Sequence, residues 1–251
     1  MDTTTRKITI DPVTRVEGHG RVTVQLDEEG HVSDARFHVV EFRGFERFIQ
    51  GHPYWEAPQL VQRLCGICPV SHHLAAAKAI DQIHGVDPQD LHPTATKIRR
   101  LLHYAQVFQS HALHFFYLAS PDLLFGVDAP VEKRSVGAVA VEHRELARKG
   151  IQKRQFGHEL IKALAGKKIH GITAIPGGVH KTFYAEERDS FLVDDLLPSV
   201  DTMIRWSREV VGFIRVLVRH EKRQHASCPL RIMHHCNQER TAAEDRSRQQ
   251  V

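Results

Sequence analysis

From Pro93 to about Pro121 the chain carries its strongest periodic signal. Ile98, Leu101, Leu102, Ala105, Phe108, Ala112, Phe115 and Phe116 recur at helical spacing. A helix this long, apolar at that spacing, is a buried one, and other elements must pack around it. Its aromatic residues read as core rather than as a cofactor site, because they follow the helical period.

Further helices are expected on either side. Pro53 can open one that runs through Trp55, Leu60 and Val61 toward Arg63, with Gly66 and Pro69 breaking it. An alanine-rich helix is expected from about Ser71 to Ile83, ended by Gly85 and Pro88. Residues 133–165, 183–197 and 199–218 also read as helical. GITAIPGGV (171–179) is a turn-rich break in which Gly177 and Gly178 can take positive φ. Near the N-terminus, KITIDPV and RVTVQL alternate β-branched and polar residues, DEEG forms a turn, and VSDARFHVV returns as a strand. The fold class expected is α+β and mostly helical, with a small N-terminal antiparallel sheet packed on a long-helix bundle. The regions read as 1–52 (β), 53–218 (helical core) and 219–251 (a polar, basic tail, disordered or loosely helical).

Composition excludes some classes of function. Of 251 residues, 41% are hydrophobic and 25% charged, which is ordinary for a globular chain. The net charge of +4 comes from interspersed signs, so no nucleic-acid footprint is indicated. No apolar run is long enough for a membrane span, and MDTTTRKITIDPVTRVEGHG has no secretory h-region. Four cysteines are too few for a disulfide scaffold at this length and suit a reducing compartment. The expected location is therefore cytoplasmic, although a protein exported on a partner's signal would look the same.

Chemistry concentrates in residues 43–73, RGFERFIQGHPYWEAPQLVQRLCGICPVSHH. Cys65 and Cys68 are spaced to aim two sulfurs at one soft metal, or to form a disulfide. The segment between two helices would expose thiols and backbone N–H groups together. Spacing alone leaves three readings open: a structural metal, a catalytic metal, and a redox pair or no function. Arg63 favours thiolate over thiol by proximity of charge. His72 is placed to donate a hydrogen bond to a coordinated sulfur. Glu46 is a hard oxygen donor that suits a separate magnesium-type site, or simply an ion pair with Arg43 or Arg47. Upstream, DPVTRVEGHGR places Arg15, Glu17, His19 and Arg21 close together. A carboxylate there could carry protons, or the segment could be an exposed, charged strand end.

These residues resemble a known family. Arg43-Gly44-Phe45-Glu46, followed after fifteen residues by Gln62-Arg63-Leu64-Cys65-Gly66-Ile67-Cys68, is similar to the N-terminal signature of nickel–iron hydrogenase large subunits. The DPVTRVEGHGR opening and the GITAIPGGV segment with His170 before it resemble further family elements. The resemblance runs from about residue 8 to about residue 218. HVVEFRGFERFIQGHPYWEAPQ leans toward the cytoplasmic, NAD-linked branch.

The resemblance implies an oxidoreductase that cleaves H2 reversibly and heterolytically at a nickel–iron centre. It implies Cys65 as a terminal nickel ligand and Cys68 as a thiolate bridging nickel and iron. It further implies CN and CO ligands on the iron, Glu46 at a magnesium ion, Glu17 as proton relay, and His72 hydrogen-bonded to the bridging sulfur. Thiolates suit such metals because they are soft and electron-rich. An iron–sulfur small subunit must carry the electrons, since this chain lacks cysteines for clusters. NAD-linked diaphorase subunits and maturation proteins are the other partners implied.

The family closes its metal site with a second CxxC, followed by a histidine. Here the remaining cysteines, Cys228 and Cys236, are eight apart in the tail. The chain therefore reads as an N-terminal part of a large subunit, with a tail consistent with a shifted frame after about His220, and it is not expected to assemble an active centre alone. Two readings from other classes compete. One is a metal-free structural relative such as the quinone-site subunit of respiratory complex I, against which the thiol pair counts. The other is a zinc-binding interaction module.

Overall fold

The computed structural model describes residues 6–13, 16–41, 44–87, 90–126 and 129–224, with side chains as far as residue 216. Contacts divide the chain into two units, Met1–Pro198 and Ser199–Val251.

The first unit opens with an antiparallel sheet in the order β1 (Arg6–Ile10), β2 (Gly20–Leu26), β3 (Val32–Val39). The register pairs Ile8 with Val24 and Val22 with Phe37. Because strand side chains alternate between faces, the sheet sorts itself chemically. Lys7, Thr9, Arg21, Thr23, Gln25, Asp34, Arg36 and His38 line a shallow polar cleft of about 280 Å³ on one face. The opposite face carries Ile8, Ile10, Phe37 and Val39, all exposed, the last two by 61% and 62%. Gly20 lies beneath the Phe37 ring, where any Cβ would come within 2.6 Å of ring carbons.

Two short helices follow, α1 (Phe45–Phe48) and α2 (Ala57–Leu60), the latter flanked by 3-10 turns at Tyr54–Glu56 and Val61–Leu64. In place of the one continuous helix expected from Pro53 onward stand the turn at Tyr54–Glu56, α2 and the turn at Val61–Leu64. Pro58 in the first turn of α2 lacks an N–H to continue an earlier helix, so the segment is broken into single turns. Pro69 does not act as a breaker. It occupies the first turn of α3 (Pro69–Ile83), where its fixed φ suits helix initiation.

The long helix is α4 (Pro93–Leu113). It starts at Pro93 as expected, capped by His92, whose Nδ1 accepts from Thr94 N–H at 3.2 Å. It continues through a wide π-type turn at His114–Ala119 into α5 (Ser120–Phe125), past the expected end. Pro121 opens α5 instead of closing α4. The 133–165 region is two helices, α6 (Val136–Glu142) and α7 (Arg144–Ala165), divided at His143. Gly166, left-handed at φ 80°, ends α7.

The core forms where α3, α4 and α7 meet. Val70, Ile98, Leu102, Ala105, Ile161, Leu164 and Ala165 are its buried members. Two glycines on α7 set the approach of α4. A Cβ on Gly150 would fall 2.5 Å from the Phe116 ring, and one on Gly157 would fall 2.7 Å from Gln109 Cβ. The two lie seven residues apart, on one helix face, so they form a groove that α4 and the π-type turn after it enter.

GITAIPGGV folds as a minimal hairpin of β4 (Ala174–Ile175) and β5 (Gly178–Val179). Pro176 and Gly177 form its turn, Gly177 at φ 75°, the residue pair a type II turn demands. Of residues 183–197 only α8 (Ala185–Asp189) is helical, and Pro198 follows its loop. The second unit is described as one helix, α9 (Val200–Gln224), which runs past the expected end at residue 218.

Candidate metal centre

The turn between the Val61–Leu64 segment and α3 brings the two thiols together. Both cysteines are free and half-buried. Cys65 Sγ, Cys68 Sγ and a His72 ring nitrogen lie within 4.8 Å of one another. His72 is one helical turn beyond Cys68, so its Nε2 reaches back to 3.6 Å from Cys68 Sγ.

The Cys65 sulfur collects donors. The backbone N–H groups of Ile67 and Cys68 point at it from 3.3 and 3.1 Å. Cys65 Sγ in turn lies 3.5 Å from Glu17 Oε1, an exposed carboxylate 48 residues earlier. The neighbouring thiol behaves differently. Burial, then the hydrogen bond and charge of Cys65, then the charge of Glu17, push Cys68 up to about 12. A metal-free pair at neutral pH therefore holds a proton on Cys68, which a metal must displace.

His72 and His73 separate in function. His73 is fully buried, and its Nδ1 lies 3.0 Å from the Pro58 carbonyl. Its Nε2 accepts from the backbone N–H groups of Thr173 and Ala174, at 3.3 and 3.0 Å. Burial first, and the charges of Arg99 and His180, lower its pKa. His170 sits just before the hairpin at φ 56°, its imidazole pKa lowered by burial and by Arg63.

Glu46 lies on α1 and is not a member of the thiol–imidazole group. Arg47 bonds Gln50, at 2.7 Å. His19 pairs with Glu41, and Arg21 lies 3.8 Å from Asp11. Arg15, Arg43, Cys228 and Cys236 fall outside the described residues.

Three supports were not legible as such from spacing. Asp81 and Arg99 form a buried ion pair that grips the hairpin tip. Asp81 accepts from Gly177 N–H at 2.8 Å, and Arg99 donates to the Ile175 and Gly178 carbonyls at 2.7 and 2.9 Å. Gln106 and Gln109 both donate from Nε2 to the Ile67 carbonyl, at 2.8 and 2.7 Å. Gln62 Nε2 bonds the Pro58 carbonyl at 3.2 Å beneath the loop. A signal did exist. Arg99, Gln106 and Gln109 are polar residues on the otherwise apolar buried face of α4.

Two sulfurs and an imidazole converging on one point form a soft donor set that fits a thiophilic transition metal better than magnesium or calcium. Residues 7–42 match a HoxL-like family model, and residues 43–156 match the nickel-dependent hydrogenase model. The chain belongs to the nickel-dependent hydrogenase family of enzymes, in its large-subunit branch. Among its relatives is the NAD-reducing hydrogenase HoxS subunit beta of Cupriavidus necator, 52% identical over 208 residues, which are 81% of this chain and 43% of that protein. A subunit of the F420-non-reducing hydrogenase vhu of Methanocaldococcus jannaschii is 43% identical over 211 residues, 84% of this chain and 49% of the relative. A crystal structure of an NAD+-reducing [NiFe]-hydrogenase in the H2-reduced state superposes with a TM-score of 0.79 at 56% identity, over 87% of this chain and 47% of the other. The chain thus spans less than half the length of these relatives. Among the described residues, no helix is long and apolar enough to cross a membrane.

Proposed function

We propose that this chain supplies the first half of the sulfur cage of an H2-activating nickel–iron centre, with Cys65 as terminal ligand to nickel and Cys68 as the bridging thiolate. The observation that carries this reading is the convergence of both sulfurs and His72 within 4.8 Å, with Glu17 on the Cys65 side. A nickel–iron pair held there, with CN and CO on the iron, would supply an electrophilic site that takes the hydride when H2 is cleaved heterolytically.

The chain's own groups then divide the work. The Cys65 sulfur would hold the proton that heterolytic cleavage leaves beside the hydride. Glu17 Oε1, 3.5 Å away and open to solvent, takes that proton onward. His72 donates a hydrogen bond to Cys68 Sγ, which fixes the sulfur's orientation and withdraws electron density from it. Glu46 would offer a hard carboxylate oxygen to a separate magnesium ion. The polypeptide's regions divide accordingly into residues 1–52, which bring Glu17 and Glu46, and 53–218, which hold the thiols, ahead of the 219–251 tail.

Electrons leave through an iron–sulfur small subunit, and the likeness to an NAD-reducing relative favours diaphorase subunits beyond it, in the cytoplasm. Maturation proteins install the diatomic ligands. The other two thiolates of the cage come from outside the described residues. Element analysis of the purified chain, and of the chain produced with its maturation and small-subunit partners, tests the reading. Nickel plus iron, lost on Cys65→Ser, supports it. Zinc in their place points to an interaction module, and no metal points to a structural relative.

A further inference from the structure

We propose that Gln106 and Gln109 are positioning residues for the Cys65 sulfur, acting through the peptide that joins Ile67 to Cys68. Both glutamines lie on α4, about 40 residues from the loop in sequence, and both are at most 2% exposed. Their Nε2 atoms converge on one acceptor, the Ile67 carbonyl, from 2.8 and 2.7 Å. Two donors occupy both lone pairs of that oxygen. In a trans peptide the carbonyl and the next N–H point in opposite directions. Pinning the Ile67 oxygen toward α4 therefore aims the Cys68 N–H away from α4, at Cys65 Sγ, 3.1 Å distant. Hydrogen bonding at the oxygen also polarises the peptide and strengthens the N–H as a donor.

The residue type is costly where it stands. Gln109 continues the stripe of Leu102, Ala105 and Ala112, where a hydrocarbon side chain would pack. The Oε1 atoms of both glutamines are buried and, among the described residues, have no hydrogen-bond partner. Leaving a buried acceptor without a partner destabilises the fold. Gln109 also sits where Gly157 of α7 has been cleared of its side chain. That clearance admits the Gln109 Cβ and the α4 backbone, and the loop carbonyl is what the amide reaches. The consequence is a hydrogen bond held on a sulfur that, on the reading above, binds metal. This inference rests on that reading for its purpose but not for its geometry.

The test uses the full chain without metal. Gln106→Met and Gln109→Met keep length and helix propensity while removing the donor. Backbone amide exchange, followed residue by residue, is expected to speed up at Cys68 by about tenfold in the double variant, with Leu102 and Leu164 unchanged. Each single variant, which retains one donor, is expected to show a smaller increase at the same amide. Unchanged exchange at Cys68 in either folded single variant overturns the proposal, so a double variant that fails to fold still leaves it decidable. A second readout is the sulfur-to-metal charge-transfer band of the Co2+-loaded chain. Loss of an N–H donor leaves the sulfur richer in electrons and shifts that band to longer wavelength. A band that stays put in the variants also overturns the proposal. A wild-type chain that gives no such band counts against the metal reading, and amide exchange alone then decides the positioning role.

Discussion

His73 Nε2 accepts a hydrogen bond from the backbone N–H of Ala174, a residue 101 positions further along the chain. The bond ties the helix that follows the thiols to the small hairpin, and it requires a neutral imidazole whose Nδ1 proton goes to Pro58. Protonation would put a second proton on Nε2, facing two N–H donors.

The first prediction follows from that tautomer. Burial lowers the folded-state pKa of His73 below its ordinary 6.5, so between those two values the unfolded chain binds a proton that the folded chain refuses. The stabilisation is fully present above about pH 6.5 and is lost as pH falls below it. Urea unfolding at pH 7.5 and pH 5 is expected to show this loss. His73→Leu is expected to cost about 3 kcal/mol at pH 7.5, because buried donors and an acceptor are left unpaired, and to flatten the slope in that window.

The Asp81–Arg99 pair predicts an asymmetry. Asp81→Asn leaves a buried guanidinium uncompensated and is expected to cost about 3–5 kcal/mol. The double variant Asp81→Leu/Arg99→Leu removes both charges and should cost less than the two single changes added together, though the hairpin carbonyls lose their donor. Denaturant unfolding of the cycle measures the coupling.

Glycine positions give a paired test of the helix approach. Gly157→Ala places a methyl 2.7 Å from Gln109 Cβ and 3.1 Å from the Ala105 carbonyl, and is expected to destabilise by about 1–3 kcal/mol. Gly212→Ala on α9 meets nothing within 4 Å and is expected to stabilise its helix by about 0.5–1 kcal/mol. Thermal unfolding of the two variants should move in opposite directions.

The uncovered sheet face predicts association. Ile8, Ile10, Phe37 and Val39 form an exposed apolar patch, of the kind that self-associates in solution. Light scattering of the purified chain is expected to show species above monomer mass at micromolar concentration. Phe37→Thr with Val39→Lys should shift the distribution toward monomer. A concentration-independent monomer in the unsubstituted chain would contradict this.

Much of this fold is written in local pattern. The α4 helix, the antiparallel strands and the turn at Gly177 follow from periodicity and from residues with restricted backbones. Boundaries set by proline are harder, because Pro58, Pro69 and Pro121 act as helix starters here, and a sequence alone does not say on which side of a proline the helix lies. In the site, the thiol pair and His72 are close in sequence and can be grouped from spacing. The Glu17–Cys65 approach spans 48 residues, so spacing is silent on it and only the family resemblance points to it ahead of the structural distance. The second histidine is misleading, since adjacent helix positions point about 100° apart and His73 serves the hairpin instead of the sulfur. Gln106 and Gln109 stay hidden as long as the buried helix face is taken to be uniformly apolar.

The most direct test of the central claim is a Co2+ or Ni2+ titration of the reduced, metal-free chain, monitored by thiolate-to-metal charge-transfer absorption and compared with Cys65→Ser, Cys68→Ser and a Cys228→Ser/Cys236→Ser control. The account predicts one equivalent of metal, a charge-transfer band, its loss in either of the first two variants, and its retention in the control. A band that survives both single changes at 65 and 68, or that disappears only in the control, would contradict it.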